Sequence, residues 1–211
     1  MNPILAIFTP MKTPNVFLLL NGEKPTKLPD TSKYEVICAT DGAYEYLKEN
    51  NIKPHFISGD FDSLTAVPKN IETIPTPDQN FTDFDKILQL LWDRNYKNID
   101  VYGASGKAQD HFLGNLHSAL QWKQKLNITF FDDHGHYFFG HKEIQLNHCL
   151  NKTISLLPFP KATQITSQGL LYPLQQQTLS FGTRIGTRNK ATKKEVNISF
   201  KTGELLIFIQ H

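Results

Sequence analysis

Over roughly the first 125 residues, short apolar runs take turns with stretches of helical periodicity. A chain patterned in this way folds most readily as helices packed on a mostly parallel sheet. Val16 to Leu20 and Glu35 to Ala39 read as buried strands, Ala43 to Asn50 as a short helix, and His55 to Ser58 and Asn98 to Tyr102 as further strands. From Thr82 onward, Phe84, Ile87, Leu88 and Leu91 fall on one helical face, and Phe112, Leu113, Leu116 and Leu120 repeat the spacing. After about residue 126 the character changes. Asn127 to Phe131, Thr153 to Leu157, Gln164 to Thr166, Thr178 to Phe181, Val196 to Phe200 and Glu204 to Ile209 are short β-type runs between Gly, Pro, Asn and Thr. Such runs favour a small antiparallel sandwich over continuation of the parallel sheet. The expected architecture is an α/β domain over residues 1–130 and an all-β sandwich over residues 131–211, with the boundary near residues 126 to 140.

The connections of the first part carry aspartates beside glycines: Asp41-Gly42, Gly59-Asp60-Phe61-Asp62-Ser63, Thr82-Asp83, and Gly103-Ala104-Ser105-Gly106 followed by Asp110-His111. In extended chain, Asp60 and Asp62 point to one side and Phe61 to the other, which is what two ligands of one hard cation require. Asp83, in the first turn of the next helix, is the natural third ligand. Magnesium uses few protein carboxylates and completes its octahedron with water and phosphate oxygens, so the pattern predicts chemistry on phosphates. Asp85 lies roughly 200° around the helix from Asp83 and faces elsewhere. Gly103 to Gly106 sits between a strand and a helix, where backbone N–H groups can approach phosphate oxygens, although no Gly-Lys-Ser/Thr ending follows. Asn21-Gly22 is either a second nucleotide contact or a turn. His111 either contacts a phosphate or base or helps to cap its helix.

Charge narrows the partners. The 22 Lys and Arg are nearly matched by 20 Asp and Glu, for a net charge of +2, so the concentrated basic face of a nucleic-acid binder is not expected. Cys38 and Cys149 have no metal-ligand spacing and no disulfide framework, which fits a reducing, cytoplasmic setting. No run approaches the ~18 apolar residues of a membrane span, and the N-terminal residues lack a signal-peptide pattern. The expectation is a chain that neither spans a membrane nor is secreted.

Taken in order, Asp41-Gly42, Gly59 to Leu64, Thr76 to Phe84, and Gly103 to Gly106 with Asp110-His111 and Asn115 resemble the thiamine pyrophosphokinase family. Leu156-Leu157-Pro158-Phe159, Gly169 to Leu174, Gly186-Thr187-Arg188-Asn189 and Gly203-Glu204-Leu205-Leu206 extend the resemblance over nearly the whole chain. The resemblance implies a Rossmann-like N-terminal catalytic domain, a C-terminal thiamine-binding β-sandwich, and a homodimer with its site at the subunit interface. It also implies transfer of pyrophosphate from ATP to the thiamine hydroxyl, giving thiamine diphosphate and AMP. By position, Asp60, Asp62 and Asp83 hold Mg2+, with Asp110 beside them as a fourth catalytic residue. Asn21, Gly22, Asp41, Gly42, Ser105, Gly106, Lys107 and His111 lie along ATP, and Gln79, Thr187 and Asn189 near thiamine.

Two departures stand out. The glycine loop of the family usually reads Gly-x-Arg-x-Asp-His, and the arginine position here is Ala108, with Lys107 next to it. A point-charge ammonium does not reproduce a bidentate guanidinium, so either ATP is held more weakly or another arginine, such as Arg94 or Arg184, reaches in. Arg188 stands where the family usually places serine, and an arginine beside the cationic thiazolium repels it unless it turns outward or pairs with a carboxylate. These departures keep two alternatives open: a pyrophosphokinase for another hydroxymethyl heterocycle such as a pterin, and a catalytically silent nucleotide- or thiamine-binding protein.

Overall fold

The computed structural model describes residues 16–62, 64 and 66–211; the N-terminal residues and Ser63 of the Asp60 to Ser63 motif lie outside the described residues. The described residues divide into two compact units, the first ending at Asp133 and the second running from His134 to His211.

In the first unit, strands β1 (Val16–Leu19), β2 (Val36–Thr40), β3 (Phe56–Gly59), β4 (Glu72–Pro75), β5 (Asn98–Tyr102) and β6 (Asn127–Asp132) lie side by side in the order β4, β3, β2, β1, β5, β6. Every neighbouring pair is parallel. All four residues of β1 are buried, the continuous apolar run of a strand covered on both faces. Asn127 to Phe131 therefore does not begin an antiparallel region as expected: as β6 it extends the parallel sheet, with Ile99 opposite Ile128. Its alternation is that of any half-buried strand, and only its partner decides the direction.

Helices α1 (Tyr44–Glu49), α2 (Asp83–Asp93) and α3 (Gln109–Trp122) connect these strands. Buried Phe84, Ile87, Leu88 and Leu91 hold α2 to the sheet, and Thr82 caps it by accepting from the Asp85 N–H. On α3 the expected stripe is displaced. Leu113 is exposed, whereas Leu116, Ala119 and Lys123 are buried, so the inward face runs along the i, i+3, i+7 row and leaves Leu113 outside it. One face of the sheet gathers Phe17, Leu19, Ala39, Ala43, Tyr44, Leu47 and Ile57 into a core.

The chain steps outward from β1 to β4, then returns to the other side of β1 with β5. Strand order thus reverses between β1 and β5, and the carboxyl ends of strands at such a reversal are where α/β sheets bind ligands.

In the second unit the order is β7 (Gly135–Phe139), β13 (Thr202–Gln210), β9 (Thr153–Gln168), β12 (Val196–Ser199), β8 (Glu143–Leu146), with β10 (Gln177–Ser180) and β11 (Gly186–Lys190) also pairing β9. The pairings are antiparallel. Thr153 to Leu157 and Gln164 to Thr166, expected as separate strands, are the two ends of the 16-residue β9. Pro158 lies within it, facing Leu205 beside the register shift at Gly203 and Leu205, where a missing ladder N–H is tolerated. Ile154, Leu156, Ile165, Leu179, Val196, Ile198, Leu205 and Ile207 share the apolar core of this unit.

Candidate active site

Three connections of the first unit are fastened to one another at the carboxyl edge of its sheet. After β1 and β5 the backbones zip together: Leu20 N–H donates to Tyr102 at 2.8 Å, Gly22 to Gly103 at 2.7 Å, and Glu23 to Ser105 at 2.6 Å. Glycine is required here by contact. A Cβ on Gly22 would stand 2.2 Å from the Gly103 carbonyl oxygen, and one on Gly42 would stand 2.3 Å from Asn21 Nδ2. Asn21, Gly22, Gly42, Ser105 and Gly106, expected as separate contacts of one nucleotide, thus belong to neighbouring loops. Gly106 is left-handed at φ 91°, and Asn115 steadies the loop by donating to the Ala104 carbonyl at 2.8 Å.

Asp41 is buried, and both of its oxygens are engaged. Oδ1 accepts from the Gly42 N–H at 2.6 Å and Oδ2 from the Phe61 N–H at 2.8 Å. The side chain expected to lie along the nucleotide thus grips the Asp60–Asp62 connection. Phe61 is left-handed at φ 64°, a conformation that costs a bulky residue about 1–3 kcal/mol and persists only where its surroundings enforce it. The Asp41 hydrogen bond is that enforcement. Its result is to leave Asp60 and Asp62 exposed, with the Asp62 N–H 3.3 Å from Asp60 Oδ1.

Asp83 opens α2, and its Oδ1 is 2.8 Å from Lys86 Nζ. Lys86 is largely buried and also donates to the Thr76 carbonyl at 2.8 Å, so it ties the start of the helix to the end of β4. Sequence reasoning missed this lysine, although its i+3 spacing from Asp83 was readable. Asp85 turns away, as expected, and accepts from Thr82 and from Trp122 Nε1 at 3.3 Å. Among the described residues, no three His, Cys, Asp or Glu side chains form a group ready to hold a metal, so Asp60, Asp62 and Asp83 are not a preassembled cage. The donor set still suits Mg2+. Asp60 and Asp62 are hard oxygen donors, exposed and, among the described residues, without an ion pair, and Mg2+ retains water and phosphate ligands rather than demanding an all-protein cage.

The cationic side of the site contains a residue that the sequence did not single out. Lys107 Nζ donates to Asn21 Oδ1 at 3.1 Å, and Lys24 Nζ reaches the same oxygen at 3.4 Å. Burial, helped by the charge on Lys107, lowers the Lys24 ammonium to about 8. Both arginines considered as stand-ins for the residue absent at Ala108 have partners of their own. Arg94 forks onto Glu72 at 2.8 and 3.1 Å and stacks over Phe56, and Arg184 donates to Gln177 at 2.6 Å. Asp110 and His111 lie exposed in the first turn of α3, where Asp110 Oδ1 accepts from the His111 N–H at 2.9 Å.

Gln79 is exposed in the first unit, between β4 and α2. In the second unit Thr187 is exposed, and Asn189 is used up in a bracket: its Nδ2 donates to the Tyr172 carbonyl at 2.7 Å and its Oδ1 accepts from the Tyr172 N–H at 3.1 Å. The Asn189 side chain thus holds the exposed Leu171-Tyr172 segment. Arg188 is left-handed at φ 56°, its N–H donates to Ser155 Oγ at 2.9 Å, and its guanidinium turns toward Gln210 on β13.

An α/β unit that carries exposed carboxylates and lysines on loops at a strand-order reversal has the make-up of a phosphate-handling protein. The family profile described as thiamin pyrophosphokinase, catalytic domain, matches residues 30–130, and that of the vitamin B1 binding domain matches residues 141–205. Thiamin pyrophosphokinase 1 of Caenorhabditis elegans is 30% identical, with 92% of this chain and 88% of the relative covered. Thiamine pyrophosphokinase of Bacillus subtilis is 26% identical, over 93% of this chain and 98% of the relative. The crystal structure of the Bacillus subtilis thiamine pyrophosphokinase shares the fold at a TM-score of 0.80 and 22% identity, with 92% and 98% of the two chains covered. That of a thiamin pyrophosphokinase family protein from Enterococcus faecalis shares it at 0.83 and 21%, with 93% and 99% covered. The chain belongs to the thiamine pyrophosphokinase family.

Proposed function

We propose that this chain transfers the terminal pyrophosphate of ATP to the hydroxyl of thiamine. The thiamine oxygen bonds to the β-phosphorus, the bond from that phosphorus to the oxygen bridging the α-phosphorus breaks, and thiamine diphosphate and AMP leave. The observation that carries this reading is the joining of loops at the strand-order reversal, where Asp41 presents Asp60 and Asp62 and the Gly22 zipper presents Lys24 and Lys107.

In-line displacement on a polyphosphate asks the protein for positioning and charge stabilisation more than for covalent chemistry. Asp60 and Asp62 would hold Mg2+, and Asp83 would join them with the oxygen that Lys86 leaves free. When bound, Mg2+ supplies neutralisation of the charge that develops on the transferring phosphates. Lys107 and the Gly103 to Gly106 backbone take the phosphate oxygens. Lys86 orients Asp83, and Asp110, which has no cation held on it among the described residues, accepts the hydroxyl proton.

The assignment of nucleotide chemistry to a Rossmann-like domain over residues 1–130, and of thiamine binding to a β-sandwich over residues 131–211, belongs to the same reading. So does a homodimer: Leu171, Tyr172, Phe181 and Ile185 are large apolar side chains exposed on the second unit, and a second copy would cover them. Two free, buried cysteines suit a cytoplasmic setting, and among the described residues no helix is long and apolar enough to cross a membrane.

The test is AMP release from MgATP with and without thiamine, followed by mass detection of thiamine diphosphate. Thiamine-dependent AMP with that product is expected. Turnover only with a neutral heterocycle such as a pterin, or ATP binding without turnover, would overturn the assignment.

A further inference from the structure

The zipper between the loops after β1 and β5 brings two lysines that are far apart in sequence to a single atom. Lys107 Nζ and Lys24 Nζ lie 3.1 and 3.4 Å from Asn21 Oδ1, so two ammonium groups are close neighbours around one amide oxygen. Like charges held together in this way repel, and among the described residues neither lysine is ion-paired. Three backbone hydrogen bonds hold the two loops together against the repulsion. Gly22 and Gly103 are in backbone contact, and a Cβ on Gly103 would stand 2.3 Å from the Leu20 carbonyl oxygen.

We propose that Lys24 and Lys107 form a two-ammonium clamp for the polyphosphate of the nucleotide, with Asn21 Oδ1 as the acceptor that keeps both heads in place. This rests on the nucleotide-dependent reading above and adds Lys24 as a specificity-determining residue. A single phosphate group concentrates its charge at one point between or beside the two heads. Adjacent phosphates carry charge on several oxygens and satisfy both ammonium groups at once, so the clamp selects a polyphosphate over a monophosphate. Lys107 is exposed and Lys24 only half-buried, which leaves both open to such a ligand.

The charged and titratable groups facing Lys24 are Lys107 from the β5–α3 loop, Glu23 on its own loop, and Glu49 and Tyr46 from α1, the Tyr46 ring centroid lying 5.8 Å from Nζ. With its ammonium lowered to about 8, Lys24 loses its proton as pH rises through that value, and a bound polyphosphate draws the proton back. ATP affinity should therefore fall between about pH 7.5 and 9.

The experiment uses the full chain with MgCl2 and titrates ATP and AMP separately into wild type, K24M, K107M, K24M/K107M and K24R, with melting temperatures and steady-state kinetics on the same samples. K24M should weaken ATP about tenfold, the loss of one charge-assisted contact, and AMP less than about threefold. KM for ATP should rise with little change in kcat or in KM for thiamine, K24R should recover most of the affinity, and the pH dependence above 7.5 should flatten in K24M. ATP affinity within about twofold of wild type in both K24M and the double variant would overturn the clamp. Equal losses for ATP and AMP together with a lower melting temperature would also overturn it, since the lysines would then serve only the fold. A wild-type chain that releases no AMP with thiamine yet binds ATP through Lys24 would support the clamp and sink the thiamine reading; one that binds no ATP would overturn both.

Discussion

Replacing Asp41 by Asn should uncouple the Asp60–Asp62 connection from the sheet while leaving the volume of the side chain unchanged. The wild-type carboxylate accepts two backbone N–H groups, 2.6 Å from Gly42 and 2.8 Å from Phe61, from a buried position. An amide has one oxygen, so it can satisfy only one of the two, and its –NH2 then confronts the other N–H as a second donor. Losing a hydrogen bond to a charged acceptor and stranding a buried donor together cost about 2–4 kcal/mol. The left-handed Phe61 offers an escape, because releasing it recovers the ~1–3 kcal/mol its backbone conformation costs. The loop should therefore detach rather than the domain unfold. The melting temperature should fall by only a few degrees, whereas kcat should drop by about 10²-fold, the equivalent of ~2–3 kcal/mol of lost positioning. Half-saturation with Mg2+ should shift to higher concentration. Steady-state kinetics across a Mg2+ series, paired with thermal melts, measure all three quantities. A variant with kcat and Mg2+ dependence within about twofold of wild type, whatever its melting temperature, would refute the argument that Asp41 acts through the loop.

Asp62→Ala should abolish turnover without loss of fold, since the residue is exposed; a normal circular dichroism spectrum with full activity at saturating Mg2+ would remove Asp62 from the site. Gly22→Ala drives a Cβ to within 2.2 Å of Gly103 O and 2.5 Å of Ser105 O, both backbone, so the zipper must open; the melting temperature and the ATP affinity should fall together, and a change in only one would contradict the shared loop contact. Asp100 is buried on β5, where it accepts from the Tyr34 hydroxyl at 2.8 Å, and burial raises its carboxyl to about 6. The native state then holds this proton more tightly than the unfolded chain, so the contribution to stability is full below the unfolded value of 3.8 and is lost as pH rises through about 6. Asp100→Asn keeps the acceptor and removes the charge. It should therefore gain up to ~3 kcal/mol in urea unfolding at pH 8 and little at pH 4, and equal effects at the two pH values would exclude burial of charge as the cause.

The sequence disclosed α2 well because its signal is local: Phe84, Ile87, Leu88 and Leu91 repeat at helical spacing behind the Thr82 cap, and the structure buries all four. It disclosed β1, β2, β3 and β5 for the same reason, each being a short apolar run closed by Gly, Asp or Asn. The β4 strand was missed because Glu72 to Pro75 lies at the sheet edge with no buried residue to announce it. Leu113 was placed on the wrong face because Leu and Phe at mixed i+3 and i+4 spacings leave the direction of the stripe ambiguous by about 100°.

The division of the site follows the same line. Residue type and order by themselves determined that carboxylates and glycines would crowd the strand ends, and hence that the chain handles phosphates, since spacing along an extended or helical backbone fixes where neighbouring side chains point. Which carboxylate grips and which is presented was decided by the tertiary structure. Asp41 turns inward because β3 is the parallel neighbour of β2 and brings the Phe61 N–H to it, and Asp83 is ion-paired because Lys86 is buried against the end of β4. Lys24 joins Lys107 only because β5 returns to the far side of β1. The Asp41–Phe61 and Lys24–Lys107 relations link residues tens of positions apart, and no local preference specifies them; they exist once burial of the apolar strands has chosen the strand order.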